Sequence, residues 1–201
     1  MLGELPTSIS IREHEYKIRT DFRDILNIIS AMEDPELKEP EKIYVVLKIL
    51  YDDFETIPEQ DIEEALKKAM VFINNEDMEG DQPTSSSHIH KLMDWEQDEK
   101  LIFPAVNKVA GFEVRNVPYL HWWTFLGYYM EITEGVFSTV LSIRSKRADG
   151  QRLDKWEQKY FANNKKTILI HSRLTEKEKQ AKSAFEQMLA GIDGKAGESD
   201  G

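Results

Sequence analysis

Cysteine is missing from all 201 residues. Its absence excludes disulfides, thiolate catalysis and cysteine-built zinc sites, and it agrees with a reducing compartment. A long apolar run is missing too. The most apolar stretch, Leu120–Met130, is shorter than the roughly 20 residues that span a bilayer, so no membrane partner is expected. The start, Met1-Leu-Gly-Glu-Leu-Pro6, has neither the basic region nor the apolar stretch of a secretion signal, and a soluble intracellular chain is the expectation. There is no P-loop, no Gly-x-Ser-x-Gly elbow and no dinucleotide fingerprint. No Glu-x-x-His pair suits a di-iron bundle. Gly191, Gly194 and Gly197 fall in a polar tail and read as flexibility. Neither an enzyme nor a cofactor is expected.

What is present is a 40% hydrophobic chain with enough material for one medium domain or two small ones. Its net charge of −11 is unevenly spread: residues 1–143 hold 28 Asp+Glu against 13 Lys+Arg, and residues 144–173 hold 9 Lys+Arg against 3 Asp+Glu. An acidic body repels nucleic acid at long range. Its basic segment suits an acidic partner, or its own acidic half, better than phosphate.

The hydrophobic pattern predicts a mainly α protein that opens with a β-hairpin. Thr7–Ile11 and Glu15–Thr20 alternate with period two around a turn at Arg12–Glu15. Asp21 is a candidate N-cap for a helix that ends at Asp34-Pro35, and Pro40 starts a second helix. Thr56-Ile-Pro-Glu59 has capping-box spacing and predicts the start of a third, through Phe72. These elements make an N-terminal unit over 1–75. Polar residues 76–87 read as a flexible linker. A C-terminal helical domain is expected over 88–173, and a terminal helix opened by the Thr175–Glu178 box, with a frayed tail, over 174–201.

In the second unit, His88–Gly111 reads as a helix interrupted near Pro104. Pro118 is placed in the first turn of a central helix that is aromatic nearly all round: Tyr119, Trp122, Trp123, Leu126 and Met130 on one side, His121, Phe125, Tyr128 and Tyr129 on the other. Such residues are expected to pack as the post of a helical bundle, with His121, Trp122 or Trp123 as candidates for partner contact. Gly135 separates this helix from another over Val136–Lys146. Asp154 caps a short helix expected to turn Leu153, Trp156 and Tyr160 inward and Arg152, Lys155 and Lys159 outward.

Three patterns invite a chemical reading. His88-Ile-His90 lacks the third ligand that a metal site needs. Asp94 and Asp98, four residues apart, would need a further carboxylate to hold Mg2+, and the cluster Asp94, Glu96, Asp98, Glu99 reads as a solvated acidic face near a helix N-terminus. His121 has no neighbour in sequence to make it a general base, and reads as a hydrogen-bonded core or interface histidine. The basic segment 144–166, interleaved with Trp156, Tyr160 and Phe161, would suit single-stranded nucleic acid only if rings and charges shared a face, and the helical spacing separates them.

Three strings carry a resemblance: Lys91-Leu-Met-Asp-Trp-Glu-Gln-Asp-Glu99, Tyr119-Leu-His-Trp-Trp-Thr-Phe125, and Ser142-Ile-Arg-Ser-Lys146 with the later Leu153-x-x-Trp156-Glu157. With them, roughly residues 1–165 resemble the bacteriophage Gp-fifteen family of tailed phages and prophages of Gram-positive bacteria. The resemblance implies a tail-morphogenesis role, since such genes typically lie between those for the major tail protein and the tape-measure protein of siphophages. It implies a tail assembly chaperone that acts in the host bacterial cytoplasm, binds the tape measure, recruits tail tube subunits and is absent from the mature virion; a homo-oligomer is allowed. A minor structural tail protein and a nucleic-acid-binding phage protein are the alternatives. Asp94, Trp95, His121, Trp122, Trp123, Arg144, Lys146 and Trp156 stand in these strings. With Arg152, Lys155 and Lys159 they are the candidate partner-binding residues.

Overall fold

The structure, a computed structural model, describes residues 3–75, 92–171, 173–181 and 183. The expected linker and His88-Ile-His90 lie outside the described residues, as do Ala184, Phe185 and Leu189 of the expected terminal helix. The chain is mainly α-helical with a small N-terminal hairpin, as the periodicity predicts. Strands β1 (Ser8–Ile11) and β2 (His14–Lys17) pair antiparallel, with Ile11 opposite His14. The turn is therefore Arg12-Glu13, tighter than expected. Arg12 adopts a left-handed φ of 52°, and its side chain is held by Asp61 at 2.7 Å.

Asp21 caps α1 (Phe22–Met32) by accepting from the Arg23 N–H. Phe22, Ile25 and Ile28 repeat at helical spacing and are buried. Helix α2 (Glu39–Leu50) carries Pro40 in its first turn. The cap expected at Thr56 is not there. Thr56 closes a short 3-10 turn by donating to the Asp53 carbonyl, a second such turn follows over Glu59–Asp61, and α3 (Ile62–Asn74) begins only after it. Pro58, extended in the chain, separates the two turns.

Residues 92–98 correct a second expectation. Asp94 folds this stretch into a turn, because its carboxylate accepts from the Glu96 and Gln97 N–H groups. Helix α4 (Glu99–Ala110) starts after that and runs through Pro104 without interruption. Proline there removes only the hydrogen bond to the Lys100 carbonyl, and both residues are exposed to water.

The aromatic helix also starts later than Pro118 suggests. Residues 120–122 pair with residues 20–22: the Phe22 N–H donates to Leu120 and the Trp122 N–H to Thr20. The segment is extended until His121 caps α5 (Trp122–Met130). Helix α6 (Val136–Ala148) follows Gly135, whose φ of 112° suits glycine. Asp154 and Glu157 form the capping box of α7 (Lys155–Asn163), and the four-residue α8 (Lys165–Ile168) follows. Thr175 and Glu178 make the expected reciprocal cap ahead of helical residues 176–181.

One apolar cluster joins β1, α1, α2 and α3 to α4, α5 and Phe137 of α6. Phe22 stacks on Phe125 with ring centroids 4.6 Å apart. A smaller cluster, Val140, Ile143 and Ile168, lies under Leu153, Tyr160 and Phe161. Among the described residues no helix is long and apolar enough to cross a membrane.

Candidate partner-binding site

The Leu-His-Trp-Trp string works as a clasp between α3 and α5. His121 accepts from the Trp123 N–H through Nδ1, which leaves the proton on Nε2 to donate to the Pro6 carbonyl at 2.9 Å. Both ring nitrogens are thus engaged in holding the fold. Trp122 is 1% exposed, and its indole N–H donates to the Ile73 carbonyl. The Trp123 indole donates to the Phe72 carbonyl and its ring stacks on Phe72. These two bonds supply donors to the last turn of α3, where helix carbonyls lack the usual i+4 partner and Phe72 is otherwise met by the Asn75 N–H at 3.3 Å. Trp95 is half-buried against Trp122, Phe125 and Tyr129. Burial, with a smaller contribution from Asp98, raises the Tyr129 phenol above its usual range.

Two clefts open beside Trp95. One, of about 340 Å3, lies between α1, α3 and α5 and is lined by Ile29, Met32, Met70, Ile73, Trp95 and Leu126 among others. The other, of about 360 Å3, has Phe22, Leu26 and Phe103 in its wall and Arg23, Glu99 and Arg115 around them. Methionine, unbranched and polarizable, adapts such a surface to differently shaped apolar side chains.

The acidic cluster is not the solvated face that its spacing suggests. Asp94 and Asp98 are buried. Asp98 takes a two-pronged contact from Arg144: Nη1 donates at 2.6 Å and Nη2 at 2.8 Å. Asp98 also accepts from the Asp94 N–H. The remaining Arg144 donors go to the carbonyls of Leu92, Thr167 and Ile168. One guanidinium therefore ties the 92–98 turn, α6 and α8 together. Arg173 bonds Asp94 at 3.0 Å and pairs with Glu33 and Glu96. Burial works against the Arg173 charge, but Asp94 and these neighbours outweigh it and raise its pKa. No group of three or more His, Cys, Asp or Glu side chains among the described residues is arranged to hold a metal ion.

The basic segment divides into an inner and an outer set. Arg144 is buried, Lys146 pairs with Glu157, and Arg147 lies over the Phe161 ring at 4.0 Å. The Lys146 ammonium holds the Glu157 carboxyl below its usual range. Arg152, Lys155 and Lys159 face solvent. The expected inward Trp156 is instead 58% exposed and stacks on Tyr160 at 5.3 Å. Its neighbour Glu157 takes the inward position, because the capping box and Lys146 fix that carboxylate against α6. Rings and charges thus share the α7 surface.

The family described as Bacteriophage Gp15 protein matches residues 1–170. The chain belongs to the bacteriophage Gp15 family. No curated protein and no solved structure matches it. The matched length takes in the hairpin, both core clusters and the carbonyls bound by Arg144. The three Gp15-like strings meet inside this framework. Asp98 and Asp94 of the first hold Arg144 and Arg173; the second clasps α3; Lys146 of the third reaches Glu157. Of the candidate residues, Asp94, His121, Trp122 and Arg144 are buried, Trp95 lines both clefts, and Arg152, Lys155, Trp156 and Lys159 form an exposed group. From sequence, neither Glu157 nor Arg173 has an assigned role, and Asp98 reads only as part of a solvated acidic face. Arg144, four residues after Val140 on the buried side of α6, was the available signal, since an arginine on an apolar face requires an acidic partner.

Proposed function

We propose that this phage protein is a non-enzymatic tail assembly chaperone that binds the tape-measure protein in the host cytoplasm and is absent from the mature virion. The observation that carries the reading is the pair of apolar clefts flanking Trp95 on an otherwise acidic, helical protein. A tape measure is a long helical client. Amphipathic helices lay apolar side chains into grooves of this kind, anchored at i, i+3, i+4 and i+7. Met32 and Met70 suit a client that presents many similar but unequal segments. The net charge of −11 favours a complex that stays in solution.

Co-expression tests this directly. The chain, tagged, is produced with the large helix-rich protein encoded just downstream. Capture of that protein in soluble form is expected, and its loss on Met70→Asp with an unchanged circular dichroism spectrum. A downstream protein that stays insoluble while this chain elutes alone would remove the reading. Detection of this chain in purified virions would favour a minor structural tail protein. Nucleic-acid binding keeps one supporting observation, the exposed Trp156 among Arg152, Lys155 and Lys159. No retardation of DNA or RNA at low salt would dismiss it.

A further inference from the structure

The α7 surface has a counterpart elsewhere on the same chain. Residues 52–63 contain six carboxylates, Asp52, Asp53, Glu55, Glu59, Asp61 and Glu63, and no Lys or Arg. Asp52, Glu55 and Asp61 are paired with Arg19, Lys48 and Arg12. Asp53 and Glu59 are exposed and have no ion pair among the described residues. Asp53 lines a cleft of about 510 Å3 beside β2 with Tyr16, Pro58, Glu15, Lys17 and His14 among others, and Glu59 lines a neighbouring cleft that shares Pro58. Tyr16 and Pro58 give this recess an apolar side, and among its lining residues Glu15 and Asp53 outnumber Lys17. On α7, the exposed Trp156 projects between Arg152, Lys155 and Lys159, and none of these cations is ion-paired among the described residues. Among the described residues no hydrogen bond or ion pair joins the two surfaces within one copy.

We propose that these surfaces dock copy to copy: Trp156 of one chain enters the Tyr16–Pro58 recess of the next, and Lys155 and Lys159 face its Asp53 and Glu59. The chemistry matches on both counts. An aromatic anchor beside three cations meets a recess that holds a tyrosine, a proline and a surplus of carboxylates, and tryptophan is the side chain most enriched in binding hot spots. A second copy is the occupant that the page supplies, since the acidic recess and the basic helix belong to the same sequence. The two surfaces differ, so the contact is head-to-tail, and each added copy presents a fresh recess and a fresh α7. Such a contact propagates into a ring or an open filament and does not stop at a dimer. The net negative charge opposes approach at long range, but at about 0.15 M salt charges beyond about 8 Å are largely screened, which leaves the short-range pairs in control.

Sedimentation velocity of the full chain provides the test. The weight-average sedimentation coefficient is expected to rise with protein concentration at about 0.15 M salt and to fall back at about 1 M. Trp156→Ala is expected to weaken association by more than about tenfold, as the loss of an aromatic anchor does. Lys155→Glu/Lys159→Glu and Asp53→Lys/Glu59→Lys should each sediment as monomers. Mixed together, those two double variants regain both contacts, one native and one of reversed charge, and should associate again by alternating along the assembly. All these positions are exposed, so circular dichroism should be unchanged. A wild-type chain that remains monomeric at every concentration overturns the proposal, even if a polyglutamate peptide binds α7, since the face then serves another protein. Association that persists unchanged in the double variants overturns it as well.

Discussion

Arg144→Met is the sharpest probe of how the fold is held. The guanidinium is buried and makes five hydrogen bonds, two of them to Asp98. Methionine restores most of the volume and none of the donors. Among the described residues the Asp98 carboxylate, 1% exposed, would keep only the Asp94 N–H as partner. Stranding one member of a buried ion pair costs about 3–5 kcal/mol. The Ile168 carbonyl is buried as well and loses its donor, which adds about 1–3 kcal/mol, whereas the exposed Thr167 can turn to water. The sum approaches the whole stability of an ordinary domain, about 5–15 kcal/mol. The double variant Arg144→Met/Asp98→Leu removes the stranded charge and should recover a large part of that loss, because apolar replacement of a buried pair is often neutral. Urea unfolding at pH 7 followed by tryptophan fluorescence measures wild type, Arg144→Met, Asp98→Leu and the double variant, and the cycle isolates the coupling. If Arg144→Met costs under about 1 kcal/mol, or if the double variant equals the sum of the singles, the pair is not buried as described.

Further expectations concern other parts of the framework. Trp122→Phe keeps one aromatic ring but loses the N–H and part of the volume of a buried indole, leaves the Ile73 carbonyl without its donor, and should cost at least about 1–3 kcal/mol in urea unfolding. Trp156→Ala, on the exposed α7 face, should stay within about 0.5 kcal/mol of wild type. Gly111 ends α4 at φ 79°; Gly111→Ala should lower stability by about 1 kcal/mol, read as a lower urea midpoint. Glu157 is held below its usual value of 4.5, chiefly by Lys146. Its contribution is therefore fully present above that value and is lost as pH falls through the lowered folded one. Glu157→Gln should destabilise at pH 7 and converge on wild type in acid; a deficit that does not change with pH would contradict the Lys146 pairing.

How much of this was legible in the sequence depended on whether a residue's partner was local. The Asp21 cap, the Asp154 box and the Thr175 box lie within three residues of what they bind, and spacing alone placed them. Thr56 satisfied the same pattern and failed, because a tighter local bond to Asp53 was available and Pro58 set the backbone between two 3-10 turns. Pro118 was compatible with a helix start, but the pairing of 120–122 with 20–22 lies about a hundred residues away in sequence and took the segment instead. The acidic cluster misled for the same reason: its cations, Arg144 and Arg173, come from 46 and 79 residues further on. On α7 the separation of rings from charges was read from an even helical wheel. One capping box and one lysine reoriented it, by giving the buried side to Glu157.

The strings that mark this family are, in the structure, chiefly internal. Asp94 and Asp98 bind arginines, His121 caps a helix, Trp122 and Trp123 close the end of another, and Arg144 joins three segments. A residue that must satisfy several buried partners at once tolerates few replacements, and rare types such as Trp, His and Arg are the ones that can do so. The most distinctive residues therefore report how the chain is built. Contact with a partner has to be made by what the framework leaves outside: the methionines and Trp95 at the clefts, and the ordinary lysines around Trp156. Variants at the buried strings would lose activity through unfolding, and they would leave the question of the contact surface unanswered. Substitutions at Met70 and at Lys155 with Lys159 separate the two, because each removes one surface and leaves the ion pairs and indole bonds beneath it in place.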